Sequence, residues 1–263
     1  MIENIAKKKI REGQPVLLAG LTIADPNIAE MFALCGADIV MIDNEHMTFD
    51  DTRLVDCCRA VTMHGKTCLL RTSVKDPEIL GRYMQFGFQG IVATVCHGLE
   101  DAKRVISAVK YPPVGKKGLS NECRASEFGI RGGMNTAEYM QWSNDNSIVI
   151  ITVESLDGVQ DAEAICRLPD VDMVHIGPVD LSASMGLGGE TRLPEIRDIL
   201  SETNRSLAAL GNYNAYFAEC AEDVPRLLDK GAKCIFLPTD IHILRDFLVP
   251  FGKIMAEEQS KHA

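Results

Sequence analysis

The sequence predicts an eight-stranded parallel β/α barrel. Short apolar runs alternate with helical segments along nearly all of the 263 residues, and eight such runs can be counted. The length is also typical of such a barrel. A doubly wound sheet is the alternative, but no G-x-G-x-x-G turn follows the first strand. No linker or shift in composition divides the chain, so we expect one domain over residues 1–263.

The first four strands are predicted where aliphatic residues cluster between turn residues. They are PVLLAGLTI, DIVMID, TCLLRTS and GIVATV, at residues 15–23, 38–43, 67–73 and 90–95. A helix is predicted after each strand. Gly36 is the expected C-cap of the first helix, Asp50 and Asp51 open the second, and Asp76 with Pro77 caps and starts the third.

A long segment without regular period follows the fourth helix. Residues 115–135, GKKGLSNECRASEFGIRGGMN, are rich in glycine and polar residues, and a loop of this length in a compact domain is usually functional. The remaining strands are SIVIITVE, VDMVHIG, NYNAYFA and AKCIFLP, at residues 147–154, 171–177, 212–218 and 232–238. Helices are predicted at residues 136–146, 193–211 and 221–231, and from about Ile241 onward.

Composition excludes several classes of partner. The net charge of −10 argues against nucleic acid or an anionic membrane. No secretory leader and no apolar run long enough to span a bilayer are recognisable. Nine cysteines without a C-x-x-C pair indicate reduced thiols, so we expect a cytoplasmic protein. The run from Lys7 to Lys9 is expected to be a solvated helix face.

In such a barrel, functional residues cluster at the carboxyl ends of the strands. The predicted strand ends carry acids, histidines and an arginine: Asp43, Asn44, Glu45, His46, Arg71, Thr94, Cys96, His97, Glu154 and Gly177 to Asp180. Asp180 is expected just before a helix that starts at Leu181 and Ser182, beside newly exposed backbone N–H groups. His175 lies in mid-strand and is expected to be a histidine of the core or barrel lumen.

These residue types suggest metal-assisted chemistry. Glu154 and Asp180 can hold a hard divalent ion such as Mg²⁺ or Mn²⁺, which leaves other positions for water and substrate oxygens. Such an ion can chelate a 2-oxo acid and act as a Lewis acid on the developing enolate. Arg71 could add a second positive charge there. His46, which Asp43 could orient, is the candidate general base.

Four segments resemble the HpcH/HpaI aldolase family, the metal-dependent pyruvate aldolases. MIDNEHMTFD is similar to the family's I-D-x-E-H segment, and LLRTSVKDPEILGRYMQFGFQGIV to its R-x-x-x-x-D-P run. AVKYPPVGKKGLS resembles the Y-P-P-x-G-x-R-G loop. HIGPVDLSASMG is close to the specific I-G-P-x-D-L-S-x-S-x-G motif. The resemblance covers nearly the whole chain.

The resemblance implies a barrel whose terminal helix is exchanged between subunits, in a hexamer built as a trimer of dimers. It also implies roles for individual residues. The metal, Mg²⁺, Mn²⁺ or Co²⁺, would be held by Glu154 and Asp180, and Arg71 would bind the keto oxygen. His46 with Asp43 would form the base dyad acting through water. The substrate would contact Thr152 and the backbone at Gly177, Pro178 and Val179.

Four positions depart from the family pattern. Gln85 stands where an acidic residue usually reaches a neighbouring active site, and Ala93 replaces a proline. Thr152 replaces a glutamine, and Lys117 replaces an arginine. None of these changes removes the expected metal ligands or Arg71. Because Gln85 cannot act as an acid or base, they do affect the acceptor and the proton path to the aldol oxygen.

Three functions follow. The first is a metal-dependent aldolase, or carbon–carbon lyase, that cleaves or forms a 4-hydroxy-2-oxo acid through a pyruvate enolate and an aldehyde acceptor. The second is a citrate-synthase-like condensation or an oxaloacetate decarboxylation on the same scaffold. The third is a barrel that binds a 2-oxo acid without catalysis. A Schiff-base aldolase is not expected, because no lysine lies at the carboxyl end of a strand and Lys233 enters strand eight at its other end.

Overall fold

The computed structural model describes residues 2–130 and 133–261, and it contains the predicted barrel. All eight strands are parallel and belong to one sheet, in the order β6-β5-β4-β3-β2-β1-β8-β7. They are β1 Val16–Leu21, β2 Ile39–Asp43, β3 Thr67–Ser73, β4 Gly90–Cys96, β5 Ile148–Val153, β6 Met173–Ile176, β7 Ala215–Phe217 and β8 Cys234–Phe236. Each lies within, or within one residue of, its predicted range.

Helices connect the strands on the outside of the barrel. They are α1 Ile5–Arg11, α2 Pro26–Leu34, α3 Asp51–Thr62, α4 Glu78–Gln85, α5 Leu99–Val109, α6 Thr136–Asn146, α7 Leu156–Cys166, α8 Pro178–Ser184, α9 Pro194–Ala209, α10 Asp223–Asp229 and α11 Asp240–Lys261. Asp50 caps α3 as predicted, since its side chain accepts a hydrogen bond from the backbone N–H of Arg53.

An asparagine side chain bridges the two ends of the sheet order, β6 and β7. The backbone N–H of Val174 on β6 donates to Oδ1 of Asn212 at 2.8 Å, and Nδ2 of Asn212 donates to the Val174 carbonyl at 2.9 Å. The side-chain amide therefore offers the same donor and acceptor that a neighbouring strand would offer. The barrel is nearly closed by this bridge.

Strand alternation separates two apolar layers. Inward side chains such as Leu18, Met41 and Ile150 form the lumen cluster, whereas outward ones such as Leu70 and Ile151 pack under the helices. Burial of each such side chain contributes about 1.5–3 kcal/mol. Because side chains alternate along a strand, residues two positions beyond a lumen residue, toward the carboxyl end, also point inward.

Several local predictions need correction. Helix α7 was missed, although Ser155 caps it by accepting from the N–H of Gly158. Helix α8 begins at Pro178, so Asp180 lies in its first turn rather than before it. Helix α4 begins at Glu78 without a side-chain cap, so Asp76 does not cap it. Proline lacks an N–H and is well suited to a first helical turn, so α8 begins at Pro178, earlier in the chain than predicted.

The long loop predicted at residues 115–135 contains some regular structure. It contains a short 3₁₀ helix at Arg124–Gly129, which is kinked because Glu127 and Phe128 adopt left-handed backbone angles. Two residues of the predicted loop, at positions 131 and 132, lie outside the described residues.

The predicted solvated face from Lys7 to Lys9 is wrong for two of its three lysines. Lys7 is buried, with Nζ 2.5 Å from Oδ1 of Asp172, and Lys9 Nζ lies 2.7 Å from Oδ1 of Asp38. Both acids precede strands, at the amino end of the barrel, where α1 covers the lumen. Lys8 is exposed, as predicted. A run of like charges resembles a solvated face, and only the packing of α1 supplies its acidic partners.

The last helix, α11, is attached at its start and exposed beyond it. Asp240 is buried and accepts hydrogen bonds from the backbone N–H groups of Thr22 and Ile23 at the end of β1. The residues that follow include a set of exposed apolar side chains: Ile241, Ile243, Leu244, Phe247, Leu248, Val249, Phe251, Ile254 and Met255. Over the described ranges, no helix is both long and apolar enough to cross a membrane.

Candidate active site

A cavity of about 190 Å³ opens at the carboxyl ends of the strands, where the sequence predicts function. Its floor is apolar and belongs to the lumen cluster, with Leu18, Met41 and Ile150 among its residues. The polar wall brings together residues from β3, β5, β6 and α8: Arg71, Thr152, Glu154, His175, Gly177 and Asp180. Five of these six were predicted site residues; His175 was predicted only as a core or lumen residue.

Arg71 is the centre of the polar contacts. It lies on β3 opposite Asp43 of β2 in the sheet register, and its Nη1 donates to Oδ2 of Asp43 at 3.1 Å. Its Nη2 lies 2.8 Å from Oε2 of Glu45 and 3.2 Å from Nε2 of His46. Two carboxylates thus hold the guanidinium in one orientation at the rim of the cavity.

The turn after β2 is built by Asp43. Its Oδ1 accepts the backbone N–H groups of Glu45 at 3.0 Å and His46 at 3.3 Å, which folds the chain back over the strand end. The His46 side chain is 53% exposed, and its Nε2 lies 3.4 Å from Oε2 of Glu45. Asp43 therefore contacts His46 through the backbone, while the neighbours of the imidazole are Glu45 and Arg71.

Glu154, which follows β5, is held by an unusual residue of β4. The backbone N–H of Val95 donates to Oε2 of Glu154 at 2.7 Å. Val95 has a φ of 59°, and the pairing of β4 with β5 shifts register between Ala93 and Cys96. A β-branched residue rarely adopts this left-handed conformation, so the bulge stores strain while it aims an N–H at the carboxylate.

Gly177 gives Glu154 the room to lie where it does. A Cβ at position 177 would lie 2.7 Å from Cγ and 2.8 Å from Oε1 of Glu154, so a larger residue would displace the carboxylate. Burial raises the pKa of Glu154, the Val95 N–H lowers it, and the charges of Glu45 and Asp180 raise it further. The charges of Glu45 and Asp180 therefore add to burial in raising the pKa of Glu154, and the charge of Arg71 opposes them.

The start of α8 offers a limited set of donors. The N–H of Gly177 already donates to the carbonyl of Val153 at 3.0 Å, and Pro178 has no N–H. Val179, the second residue of the helix, carries an N–H that no carbonyl within the helix can accept. Of the three predicted backbone contacts, the amide of Val179 is thus the one suited to a substrate carboxylate.

Thr152 and His175 face each other in the register of β5 and β6 and line the cavity below Glu154. Burial, together with the charge of Arg71, lowers the pKa of His175 to about 4. The imidazole is therefore neutral near pH 7, and it places a polar but uncharged group in the lumen.

The four departures from the family pattern lie away from these contacts, apart from Thr152. Gln85 donates from Nε2 to the carbonyl of Gly118 at 3.2 Å, and Ala93 is buried in the outer layer. Lys117 lies at the other end of the barrel, as described below. Sequence reasoning listed Glu45 among the strand ends without giving it a role, although its alternation with Asp43 could have suggested a second acid beside Arg71. It missed Val95.

The donor set fits a hard divalent cation. Glu154 and Asp180 offer carboxylate oxygens, the ligands that Mg²⁺ and Mn²⁺ prefer. Burial, and after it the charges of Glu45 and Asp180, raise the pKa of Glu154, and a bound cation would favour its ionised form. Within the described ranges, no three His, Cys, Asp or Glu side chains converge on one point, so a bound ion would keep several positions for water or substrate oxygens.

The whole chain was compared with known proteins. The sequence model of the HpcH/HpaI aldolase/citrate lyase family matches residues 21–246. A 5-keto-4-deoxy-D-glucarate aldolase of Salmonella arizonae is 29% identical over 223 residues, which are 85% of each chain. Among solved structures, an HpcH/HpaI aldolase from Desulfitobacterium hafniense superposes with a TM-score of 0.85, at 24% identity over 95% of this chain and 96% of that one. The citrate synthase SbnG gives a TM-score of 0.82, at 21% identity over all of both chains.

Proposed function

Because the chain belongs to the HpcH/HpaI aldolase/citrate lyase family, we propose that this carbon–carbon lyase is a divalent-metal-dependent aldolase acting on 2-oxo acids. It would cleave a 4-hydroxy-2-oxo acid to pyruvate and an aldehyde, or run the reverse condensation. The observation that carries the proposal is that Arg71 lines one cavity with the acids Glu154 and Asp180, while Nε2 of His46 lies 3.2 Å from its guanidinium.

Glu154 and Asp180 would hold the ion, Mg²⁺, Mn²⁺ or Co²⁺. When bound, it supplies a Lewis acid that favours negative charge on the oxygens of a 2-oxo acid. The Val95 N–H and the absence of a side chain at Gly177 keep the Glu154 carboxylate in its place. Asp180 projects from the first turn of α8, where the helix dipole favours an acid.

Arg71 would bind the keto oxygen and stabilise the charge that develops there during enolate formation. Asp43 and Glu45 keep its guanidinium oriented before substrate arrives, so little reorganisation accompanies the reaction. The amide of Val179 would receive the substrate carboxylate, with Thr152 beside it. Gly177 and Pro178 would contact the substrate without donating a backbone hydrogen bond, because the Gly177 N–H is already used and Pro178 has none.

His46 would move the proton, directly or through water. Its exposed ring lies beside Arg71, a residue of the cavity wall, and beside Glu45. A histidine at this place can take the proton of a 4-hydroxyl group during cleavage and return it during condensation. Asp43 supports this base through the turn that positions the His46 backbone.

The test is exchange of the pyruvate methyl protons into D₂O, followed by proton NMR with the metal-free protein and after addition of Mg²⁺ or Mn²⁺. Metal-dependent exchange that is lost in Glu154→Gln supports the proposal, and full exchange by protein stripped with EDTA contradicts it. No exchange with any metal would favour a barrel that binds a 2-oxo acid without catalysis. Since the related Salmonella enzyme is named for 5-keto-4-deoxy-D-glucarate, that compound is the first substrate for a cleavage assay.

A second reaction on the same site is condensation or decarboxylation of oxaloacetate. Gln85 favours it, because a glutamine cannot supply the acid or base that the family has at this position, and its amide is engaged by the Gly118 carbonyl. The citrate synthase among the solved structures shows that a barrel of this fold is used for condensation. Product analysis after incubation with oxaloacetate separates this reaction from aldol cleavage.

We also propose that α11 is exchanged between subunits in a dimer, three of which form a hexamer. The exposed apolar side chains of α11 and its anchorage at Asp240 support this arrangement. The paired change Phe247→Asp and Phe251→Asp should give a smaller particle in light scattering, whereas the exposed polar change Glu257→Gln should leave the size unchanged.

Nine free thiols support the cytoplasmic location predicted from the sequence.

A further inference from the structure

A second and larger cavity, of about 500 Å³, lies at the opposite end of the barrel. Gln89 and Ser147, which directly precede β4 and β5, are among its walls. The seven residues of β4 place it roughly 20 Å from the candidate active site. Much of the rest of the wall is aromatic or apolar: Met84, Phe88, Phe128, Tyr139 and Trp142. The active-site residues do not contribute to it.

Lys117 is a buried cation on this wall. It is 7% exposed, and its Nζ lies 3.8 Å from the ring centroid of Tyr111 and 3.3 Å from Oγ of Ser143. Both contacts are with neutral groups, and no ion pair of the described residues involves Lys117. Burial, with the nearby charge of Lys110, lowers the pKa of Lys117 to about 7.

Arg124 is a second cation on the same wall. It passes beside Gly87, where a Cβ would lie 2.9 Å from its Nε, and its Nη2 donates to Oγ1 of Thr62 at 2.9 Å. Its Nε is buried and has no hydrogen-bond partner among residues 2–130 and 133–261. The guanidinium also lies near the thiol of Cys58, whose pKa is lowered by a hydrogen bond from Cys68 and by the Arg124 charge.

Lys117 and Arg124 outnumber Glu127, the one carboxylate among the described residues of this largely apolar wall, and an excess of buried positive charge is costly to desolvate unless an anion joins it. We propose that this cavity binds a small organic anion, whose charged oxygens meet Lys117 and Arg124 and whose flat apolar body lies among Phe88, Tyr139 and Trp142. The site is separate from the candidate active site and does not depend on the proposed reaction. Its cavity is large enough for a ligand of one aromatic ring.

The chain provides its own probe of this cavity, because Trp142 is its single tryptophan. Fluorescence of the full chain, excited at the red edge of the tryptophan band, is titrated with benzoate, phenyl phosphate and the neutral benzamide at constant ionic strength. The expected result is a saturable change with at least one of the two anions and about tenfold weaker binding of benzamide. Preference for phenyl phosphate over benzoate would identify the anionic group as a phosphate.

Matched variants complete the test. Lys117→Met should weaken anion binding at least tenfold, whereas Lys116→Met, which removes the adjacent exposed lysine, should leave it unchanged. Lys117→Arg keeps the charge and should retain binding, which tests the site even if the methionine variant does not fold. Glu154→Gln should bind the anion normally, so this result is independent of the fate of the proposed reaction.

Three outcomes would overturn the proposal. The first is that neither anion produces a saturable change in Trp142 fluorescence. The second is that benzamide binds as tightly as benzoate, since the cavity would then recognise the aromatic ring and not the negative charge. The third is an equal effect of Lys116→Met and Lys117→Met, since binding would then follow overall charge rather than this cavity.

Discussion

Arg71 and Lys117 are cations at opposite ends of one barrel, and their surroundings differ. Arg71 lies within 3.1 Å of carboxylate oxygens of both Asp43 and Glu45, and two further acids line its cavity. Lys117 has an aromatic ring and a hydroxyl as its neighbours, and Arg124 shares its cavity. The first cavity carries an excess of negative charge, and the second, where Lys117 and Arg124 outnumber Glu127, an excess of positive charge. The charge that the protein leaves unbalanced therefore indicates the sign of the ligand.

The largest effect is expected from removal of one acid at the first cavity. Glu154→Gln keeps an oxygen for the Val95 N–H but removes the charge that would hold the metal. We expect pyruvate methyl exchange to fall by at least about 10³-fold, corresponding to about 4 kcal/mol, and Mn²⁺ affinity to fall with it. The exposed Glu100→Gln is the matched control. Unchanged exchange in Glu154→Gln would show that the reaction does not require a metal held by Glu154.

A smaller effect is expected for the base at the rim of the same cavity. His46→Ala should slow exchange by about 10²-fold, the usual contribution of a positioned acid or base, while Mn²⁺ affinity stays within twofold of the parent protein. Calorimetric metal titration and NMR exchange measure the two quantities separately. A parallel loss of metal affinity would mean that His46 belongs to the metal site instead.

The second cavity should appear in the pH dependence of stability. The pKa of Lys117 is about 7 in the folded protein, and about 10.4 is normal for an unfolded lysine. Below pH 7 both states hold the proton and its burial costs stability in full. Between pH 7 and 10 the unfolded state binds more protons, so stability rises with pH, by up to about 1.4 kcal/mol per unit.

Urea unfolding between pH 6.5 and 8.5 tests this, in the parent protein and in Lys117→Met. The free energy of unfolding should rise with pH in the parent more steeply than in the variant. Lys110, whose pKa is lowered to about 8 mainly by burial, adds a rise in the same direction in both proteins. The range stops at about 8.5, where unfolded cysteines are about half ionised, and their contribution is common to both proteins. Parallel pH profiles would contradict an unbalanced charge on Lys117.

The smallest effect is expected at Val95, on the strand that separates the two cavities. Asparagine tolerates the left-handed backbone better than valine, so Val95→Asn should raise the free energy of unfolding by about 1 kcal/mol. Val114→Asn, at an exposed position outside the left-handed region, should show no such gain. Destabilisation by Val95→Asn would mean that the packing of the valine outweighs its backbone strain. Chemical denaturation measures all three proteins.

The sequence by itself determined most of the side chains that meet at the candidate active site. The carboxyl ends of parallel strands lie on one rim, and alternation along β3 and β5 turns Arg71 and Glu154 inward with Leu69 and Ile150. Both rules are local, so they can be applied without knowing how the helices pack. The motif around Gly177 added the family, and the match over residues 21–246 confirms it.

Tertiary structure decided which charges are balanced. Lys7 meets Asp172 across 165 residues, and the Val95 N–H meets Glu154 across 59. The bridge that Asn212 makes between β6 and β7, and the neutral surroundings of Lys117, likewise depend on segments distant in sequence. Local periodicity indicates whether a residue faces inward or outward, but not what lies opposite it. Whether a lysine is solvated, paired or buried without an acid depends on the register of the strands and on the packing of helices over their ends.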